Sequence, residues 1–157
     1  MAKRREKIAV VHCSGGPDAS SRCSEGCISC GACMEVCRFH AIEFNQNNVA
    51  QVKRELCIGC GLCARNCPQH IIEVVPRECT ILPLCSNTEA GPVARKACES
   101  SCIACGACER ACPSDAIHVT DNLAVTDVEL CIACGMCATK CPRGVIRDAN
   151  GMLAASF

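Results

Sequence analysis

The residues best suited to chemistry in this chain are its cysteines, and sixteen of the 21 follow one repeated spacing. The pattern Cys-x2-Cys-x2-Cys-x3-Cys occurs four times in 157 residues. Because this is the ligand spacing of bacterial-type [4Fe-4S] sites, the sequence predicts four such clusters and electron-transfer chemistry. The four motifs are Cys27, Cys30, Cys33, Cys37; Cys57, Cys60, Cys63, Cys67; Cys102, Cys105, Cys108, Cys112; and Cys131, Cys134, Cys137, Cys141.

The motifs are expected to exchange their fourth cysteines. In two-cluster ferredoxins the last cysteine of one motif ligates the neighbouring cluster, although uncrossed ligation has the same sequence pattern. Three motifs are followed by a proline, and Arg38 takes that place in the first. The crossed rule predicts the ligand sets Cys27, Cys30, Cys33, Cys67; Cys57, Cys60, Cys63, Cys37; Cys102, Cys105, Cys108, Cys141; and Cys131, Cys134, Cys137, Cys112.

Other uses of clustered cysteines fit the spacing less well. Zinc sites take two cysteine pairs set well apart around a tetrahedral ion, whereas three cysteines here fall within seven residues. Disulfide frameworks belong to small secreted domains, and the first residues contain only four consecutive apolar side chains, too few for a signal peptide. No segment approaches the ~18 apolar residues of a membrane span. We therefore expect a cytoplasmic chain, with attachment to the inner face of a membrane through partners left open.

Five cysteines lie outside the motifs: Cys13, Cys23, Cys79, Cys85 and Cys98. Cys23 and Cys98 each stand four residues before the first motif of their half, so their placement is duplicated. The sequence favours inert thiols that pack like small apolar side chains. A structural contact or disulfide within each lead-in loop, and ligation of an additional metal, are the two alternatives.

Other catalytic or binding groups are not apparent in the sequence. It contains no paired carboxylates, no nucleophile beside a base and no phosphate-binding loop at useful spacing, so neither catalysis nor direct binding of a small-molecule substrate is expected. The histidines fit turn or surface positions better than metal ligation, and His12 beside Cys13 is the best ligand candidate among them. The basic residues near the start are too few to predict nucleic-acid binding.

The elements around the motifs are duplicated as well. Residues 41–57 align with residues 116–131 after one deletion, which indicates an internal repeat of about 70 residues. We predict a first two-cluster unit at residues 1–75, with Cys13 and Cys23 in its lead-in. The second unit is predicted at residues 76–157, with Cys79, Cys85 and Cys98 in its lead-in.

Each unit is predicted to have the α+β fold of a bacterial-type two-[4Fe-4S] ferredoxin, with small hairpins and short helices wrapped around the clusters. Residues 41–44 and 116–119 alternate like strands and are followed by turn residues. Short helices are expected after the third cysteines, at 34–36 and 109–111. The second cysteine of every motif precedes a glycine, which suits a tightly wrapped loop.

The composition makes the clusters part of the core. The chain has no Trp, no Tyr and three Phe, so few large side chains are available for packing. Because metal that binds only the folded state adds its binding energy to folding, the apo chain is expected to be largely unfolded. The formal charge of zero counts every thiol as neutral. Four thiolates around an oxidised core leave about −2 per cluster, hence about −8 for the loaded protein.

The order of these features resembles a known family. The order begins with a VHCSGG lead-in and has a cysteine four residues before the first of two motifs. It continues with a second lead-in and two more motifs, in a stretch that starts LPLCSNTEAGPVARKACESSCIACGAC. From about residue 8 to 147 this order is similar to the ferredoxin-like region of the B subunit of Rnf electron-transport complexes. The resemblance implies a relay between soluble ferredoxin and membrane partners. Members of that family normally begin with a membrane anchor and a separate cluster-binding segment, which this sequence does not contain.

Together these features predict a non-catalytic electron-transfer subunit. It would relay single electrons through four [4Fe-4S] clusters between flavin- or ferredoxin-linked subunits of a larger oxidoreductase, either an Rnf-like complex at a membrane or a soluble one. A free-standing polyferredoxin carrier is the main alternative. A cluster-based redox or iron sensor is a further one.

Overall fold

The computed structural model describes residues 6–15 and 23–148, which form short strands and helices separated by the cysteine motifs. The basic residues at the very start of the chain lie outside the described residues. The strands are β1 (Lys7–Val11), β2 (Ile42–Phe44), β3 (Ala50–Val52), β4 (Ile72–Pro76), β5 (Ile81–Pro83), β6 (Ile117–Thr120), β7 (Leu123–Thr126) and β8 (Ile146–Asp148). The helices are α1 (Ala32–Glu35), α2 (Leu62–Asn66), α3 (Gly91–Ala97), α4 (Ala107–Ala111) and α5 (Met136–Lys140).

The strands pair in four antiparallel two-stranded sheets, β1–β4, β2–β3, β5–β8 and β6–β7. In the β1–β4 pair Lys7 lies opposite Pro76, so the chain between them closes into a first unit, residues 7–76. The β5–β8 pair closes a second unit, residues 81–148, in the same way. This is the tandem α+β ferredoxin fold that the sequence predicts. The domain boundary after residue 75 stays a prediction.

The inner sheet of each unit is a small hairpin at the predicted position. In the β2–β3 turn, the Asn45 side-chain oxygen accepts hydrogen bonds from the backbone N–H groups of Asn47 (2.8 Å) and Val49 (3.1 Å). The β6–β7 turn consists of Asp121 and Asn122, both with positive φ (50° and 63°). Two central residues of this conformation make the type I′ turn that suits the twist of a hairpin.

The four motif helices begin earlier than the sequence suggests. The predicted helices at 34–36 and 109–111 start at Ala32 and Ala107 instead, one residue before the third cysteine. The residue before each motif helix is a glycine with φ between 71° and 80°, in the left-handed region that glycine adopts without steric cost. These glycines turn the chain directly into the helix, which carries the third cysteine inward.

Strand β1 lies between the two units and buries side chains on both of its faces. Ala9 and Val11 belong to the apolar cluster of the first unit, which also contains third and fourth motif cysteines. Ile8 packs on the opposite face, in a junction cluster with Val75 of β4 and Leu82 of β5. Strand residues point alternately to the two sides, so one strand can serve two cores. Among the described residues, no helix has the length and apolar character needed to cross a bilayer.

Candidate metal centres

Four open cavities are each lined by four cysteines. Each has a volume of about 330–350 Å³, which includes some of the solvent space at its mouth. Each cavity takes three cysteines from one motif and the fourth from the other motif of the same unit. The structure thus brings the sixteen motif cysteines together in the crossed sets. We call the cavities site A (Cys27, Cys30, Cys33, Cys67), site B (Cys57, Cys60, Cys63, Cys37), site C (Cys102, Cys105, Cys108, Cys141) and site D (Cys131, Cys134, Cys137, Cys112).

The position of a cysteine within its motif determines its exposure. The second cysteine is exposed in all four motifs, at the rim of its cavity. The third, on its short helix, is buried in three motifs and half-buried in the fourth. Each site therefore has one ligand candidate near solvent, while the others are half-buried or buried.

The rest of each cavity wall is mostly apolar; the exceptions are Gln69 at site A, Arg143 at site C, and Ser114 and Thr126 at site D. The isoleucine that follows the first cysteine lines every site, as Ile28, Ile58, Ile103 and Ile132. Strand residues complete the walls, for example Ile72 at site A and Ile146 at site C. Apolar walls limit solvent access, and solvent access is one factor that sets the potential of an iron–sulfur centre. These isoleucines were not predicted as site residues, although their fixed place in all four motifs is visible in the sequence.

Backbone N–H groups donate hydrogen bonds to the cysteine sulfurs. The fourth cysteine of three motifs accepts from the residue four positions later: Ala41 N to Cys37 Sγ (3.4 Å), Ala116 N to Cys112 Sγ (3.3 Å) and Val145 N to Cys141 Sγ (3.4 Å). Ala9 N, on strand β1, donates to Cys57 Sγ at 3.4 Å. Such hydrogen bonds stabilise negative charge on sulfur and tune cluster potentials.

The thiols of each site are close enough to affect one another electrostatically. Burial, followed by repulsion from Cys27, raises the pKa of Cys33 to about 11. Burial likewise raises the pKa of Cys137 to about 11, with repulsion from Cys131 and Cys112 adding to it. Because iron binds thiolates, loading these sites releases protons that the apo protein holds.

The pKa of Cys112 is shifted in the opposite direction. Burial acts to raise its pKa, but hydrogen bonds from Ala116 and Ser114 outweigh that effect and lower it. The same donors would stabilise this sulfur as a thiolate ligand of site D.

The cavities fit [4Fe-4S] clusters in donor chemistry. Each offers four sulfurs around an apolar space, which is the ligand set of these clusters. Within residues 6–15 and 23–148, no three Cys, His, Asp or Glu side chains are grouped at the spacing of a single metal ion.

None of the five additional cysteines lines sites A to D. Cys79 is 4% exposed and packs in the junction cluster, where its Sγ lies 3.6 Å from the Val128 carbonyl oxygen. The other four, Cys13, Cys23, Cys85 and Cys98, lie in the lead-in loops where the two units meet.

The histidines do not line the four cavities either. The two ring nitrogens of His12 contact Pro83 O (2.9 Å) and Glu73 Oε2 (2.8 Å), so both are already paired. His118 pairs with Glu109 at 3.1 Å on the surface. His40 and His70 occupy turns with positive φ (49° and 53°).

Comparisons with known proteins agree with this site. Residues 22–74 match a family described as a 4Fe-4S dicluster domain, and residues 56–116 and 101–145 match a second family of the same description. The B subunit of the Na(+)-translocating ferredoxin:NAD(+) oxidoreductase complex of Acetobacterium woodii is 41% identical over 116 residues, which is 74% of this chain. The chain spans about a third (34%) of that protein's length.

Among solved structures, similarity is found to a chain of the formate dehydrogenase–heterodisulfide reductase–formylmethanofuran dehydrogenase complex of Methanospirillum hungatei. The match covers 86% of this chain and 50% of that one, with 19% identity and a TM-score of 0.28, values too low to establish a shared fold. The domain matches and the relative carry the assignment instead. The chain belongs to the 4Fe-4S dicluster ferredoxins, and its ferredoxin region is like that of the B subunit of Rnf electron-transport complexes.

Proposed function

We propose that this chain is a non-catalytic subunit that relays single electrons through four [4Fe-4S] clusters within a larger oxidoreductase complex. The observation that carries the proposal is the set of four cavities, each lined by three cysteines of one motif and one of another. When bound, each cluster supplies one-electron chemistry, at a potential set by its net charge, the hydrogen bonds to its sulfurs and its exposure to solvent.

The protein's own residues hold and tune these centres. Sixteen cysteines supply thiolates, and the apolar walls limit access of water. The amides that point at Cys37, Cys57, Cys112 and Cys141 stabilise charge on sulfur. No side chain is required to make or break a substrate bond.

The crossed sets keep the two sites of a unit adjacent. The pKa of Cys33, a site A ligand candidate, is raised first by burial and then by thiolates that include Cys63 of site B. Cys137 of site D experiences the same influence from Cys108 of site C. Electrons would therefore pass between neighbouring centres inside each unit.

Sites B and D have exposed apolar rims that suit contact with partner proteins. At site B, Ile58 is 58% exposed and Phe39 47% exposed; at site D, Ile132 is 65% exposed, whereas the equivalent Ile28 of site A is 45% exposed. Exposed apolar groups rimmed by polar residues are common at protein interaction sites. We propose these two rims as the surfaces where electrons arrive and leave.

The partners proposed are flavin- or ferredoxin-linked oxidoreductase subunits. The relative from Acetobacterium woodii is named as part of a ferredoxin:NAD(+) oxidoreductase complex, which supports this class. A membrane-associated Rnf-like assembly and a cytosolic flavin-linked one both satisfy the proposal.

Two measurements test the proposal. Anaerobic iron and sulfide analysis should give at least about sixteen of each per chain, and about eight would contradict four clusters. An anaerobic pull-down of the native protein should retain an oxidoreductase partner. A stable monomer without any partner under gentle conditions would instead support a free-standing carrier.

A further inference from the structure

Four cysteines outside the motifs converge where the two units meet. Cys13 and Cys23, from the first unit's lead-in, approach the same backbone position: a Cβ placed on Gly26 would lie 3.4 Å from Cys13 Sγ and 3.5 Å from Cys23 Sγ. Cys85 and Cys98 come from the equivalent lead-in of the second unit. The two pairs therefore arrive from chain segments that are far apart in sequence.

The thiols of the two pairs are close enough to affect one another's pKa values, so the four form one group. Burial is the largest influence on Cys98 and raises its pKa, and repulsion from Cys23 of the other unit adds to the rise. Cys85, raised by burial to a pKa of about 11, is also repelled by Cys23. Cys13 is in turn repelled by Cys98. Each thiol of one lead-in thus lies near a thiol of the other.

Hydrogen bonds fix the two lead-in loops against each other. His12 Nδ1 lies 2.9 Å from Pro83 O, and Ser86 Oγ donates to His12 O at 2.6 Å. Farther along, Thr88 donates from both its backbone N (2.8 Å) and its Oγ1 (3.0 Å) to the Glu25 carboxylate. The group of four thiols is therefore held by contacts on both sides.

Polar N–H groups point at the sulfurs of this group, as they do at sites A to D. Asn87 is 1% exposed; its side-chain Nδ2 lies 3.6 Å from Cys23 Sγ and its backbone N lies 3.5 Å from Cys85 Sγ. Cys102 N donates to Cys85 Sγ at 3.4 Å. The Asn87 amide is held in place by Glu89, whose N donates to Asn87 Oδ1 (2.8 Å) and whose Oε2 accepts from Nδ2 (3.2 Å). Metal-bound thiolates are commonly stabilised by N–H donors of the kind that reach Cys23 and Cys85.

We propose that Cys13, Cys23, Cys85 and Cys98 hold a fifth [4Fe-4S] cluster at the junction of the two units. The inference rests on the proposed function, because it extends the same chemistry to one more site. Each unit supplies two ligands from equivalent positions, so the site exists only when both lead-ins are assembled.

The location gives the fifth site a role between the two units. The backbone of Cys27, a site A cysteine, lies close enough to Cys13 to act on its pKa, and the backbone N–H of Cys102, a site C cysteine, donates to Cys85 Sγ at 3.4 Å. A centre held by the four lead-in cysteines would therefore lie between sites A and C. It would join the two two-cluster units into one continuous path, with sites B and D at its outer ends.

The test compares metal content in the full-length protein and three variants, all produced and handled anaerobically. A doubly substituted chain, Cys23→Ser with Cys98→Ser, removes one ligand from each unit, and the single variant Cys13→Ser removes a different one. The matched control is Cys79→Ser, because Cys79 is also outside the motifs but packs in the junction cluster. Iron, sulfide and zinc are measured per chain, with spin quantitation after reduction and circular dichroism to check folding.

Wild type and the Cys79→Ser control should contain about twenty irons and twenty sulfides, and the double variant about sixteen of each with an unchanged fold. A wild-type value of about sixteen irons overturns the fifth cluster and leaves the four-cluster function standing, however the variants behave. A value well below about sixteen contradicts the four-cluster function itself. One zinc ion per wild-type chain that disappears in the double variant also overturns the proposal.

Discussion

Gly59 lies where strand β1 packs directly against a cysteine motif. A methyl group added at this position should lower the stability of the first unit. A Cβ on Gly59 would lie 2.5 Å from both the carbonyl carbon and oxygen of Lys7. The equivalent positions in the other motifs hold Ser29, Ala104 and Ala133, at φ values of 53–57° that are close to the 68° of Gly59. The backbone conformation therefore tolerates a side chain, and the close approach of β1 is what requires glycine in this motif.

The change Gly59→Ala should cost at least about 1 kcal/mol, and up to about 3 kcal/mol, because the overlap is with backbone atoms that cannot rotate away. A loss of this size raises the population of opened molecules by about fivefold or more. Cluster loss from the opened form, followed as bleaching of the visible absorbance in mild denaturant under anaerobic conditions, should accelerate accordingly.

Gly144→Ala is the matched control, since Gly144 has a φ of 61° and a Cβ there would meet nothing within 4 Å. It isolates the cost of the left-handed conformation from the cost of the overlap. Equal rates of cluster loss in Gly59→Ala and Gly144→Ala would refute the argument, because they would show that β1 does not press on this motif.

Replacing Cys67 with Ala should damage site A, seen as a three-iron EPR signal or a loss of up to about four irons; damage confined to site B would reject the crossed ligand sets. Arg77 donates to the carbonyl oxygens of Arg54 (2.6 Å) and Cys57 (2.5 Å), so Arg77→Met should destabilise the first unit by about 1–3 kcal/mol. Loss of this positive charge should also make the potential of site B more negative in an EPR-monitored titration, and an unchanged or higher potential would contradict that sign. Removing iron with a chelator should abolish most of the secondary structure seen by circular dichroism, whereas a native-like apo spectrum would show that the small apolar cores suffice.

The sequence was most informative where chemistry fixes local spacing. The motifs predicted the ferredoxin fold, and the alternation at 41–44 and 116–119 predicted the strands of both hairpins. The helices were placed two residues too late, because the left-handed glycine that starts each one acts through its φ and not through any periodic pattern.

The way in which the two units pack against each other could not be predicted from the sequence. The duplication showed that Cys23 and Cys98 are equivalent, but nothing local indicated that they approach each other across the junction. The donors to sulfur, such as Ala9 N to Cys57 and Asn87 to Cys23, join residues 48 and 64 positions apart. Contacts of this kind arise from how β1 and the second lead-in pack, and single-sequence patterns do not encode them.

In the crossed assignment each cluster is held by three cysteines of one motif and one of the other. An anomalous difference map at the iron absorption edge, from crystals of the anaerobically purified protein, tests it most directly. We expect a peak that contains four iron atoms in each of sites A to D, with Cys67, Cys37, Cys141 and Cys112 each bonded to the cluster of the opposite motif. Clusters held by the four cysteines of a single motif, or fewer than four occupied sites, would contradict it.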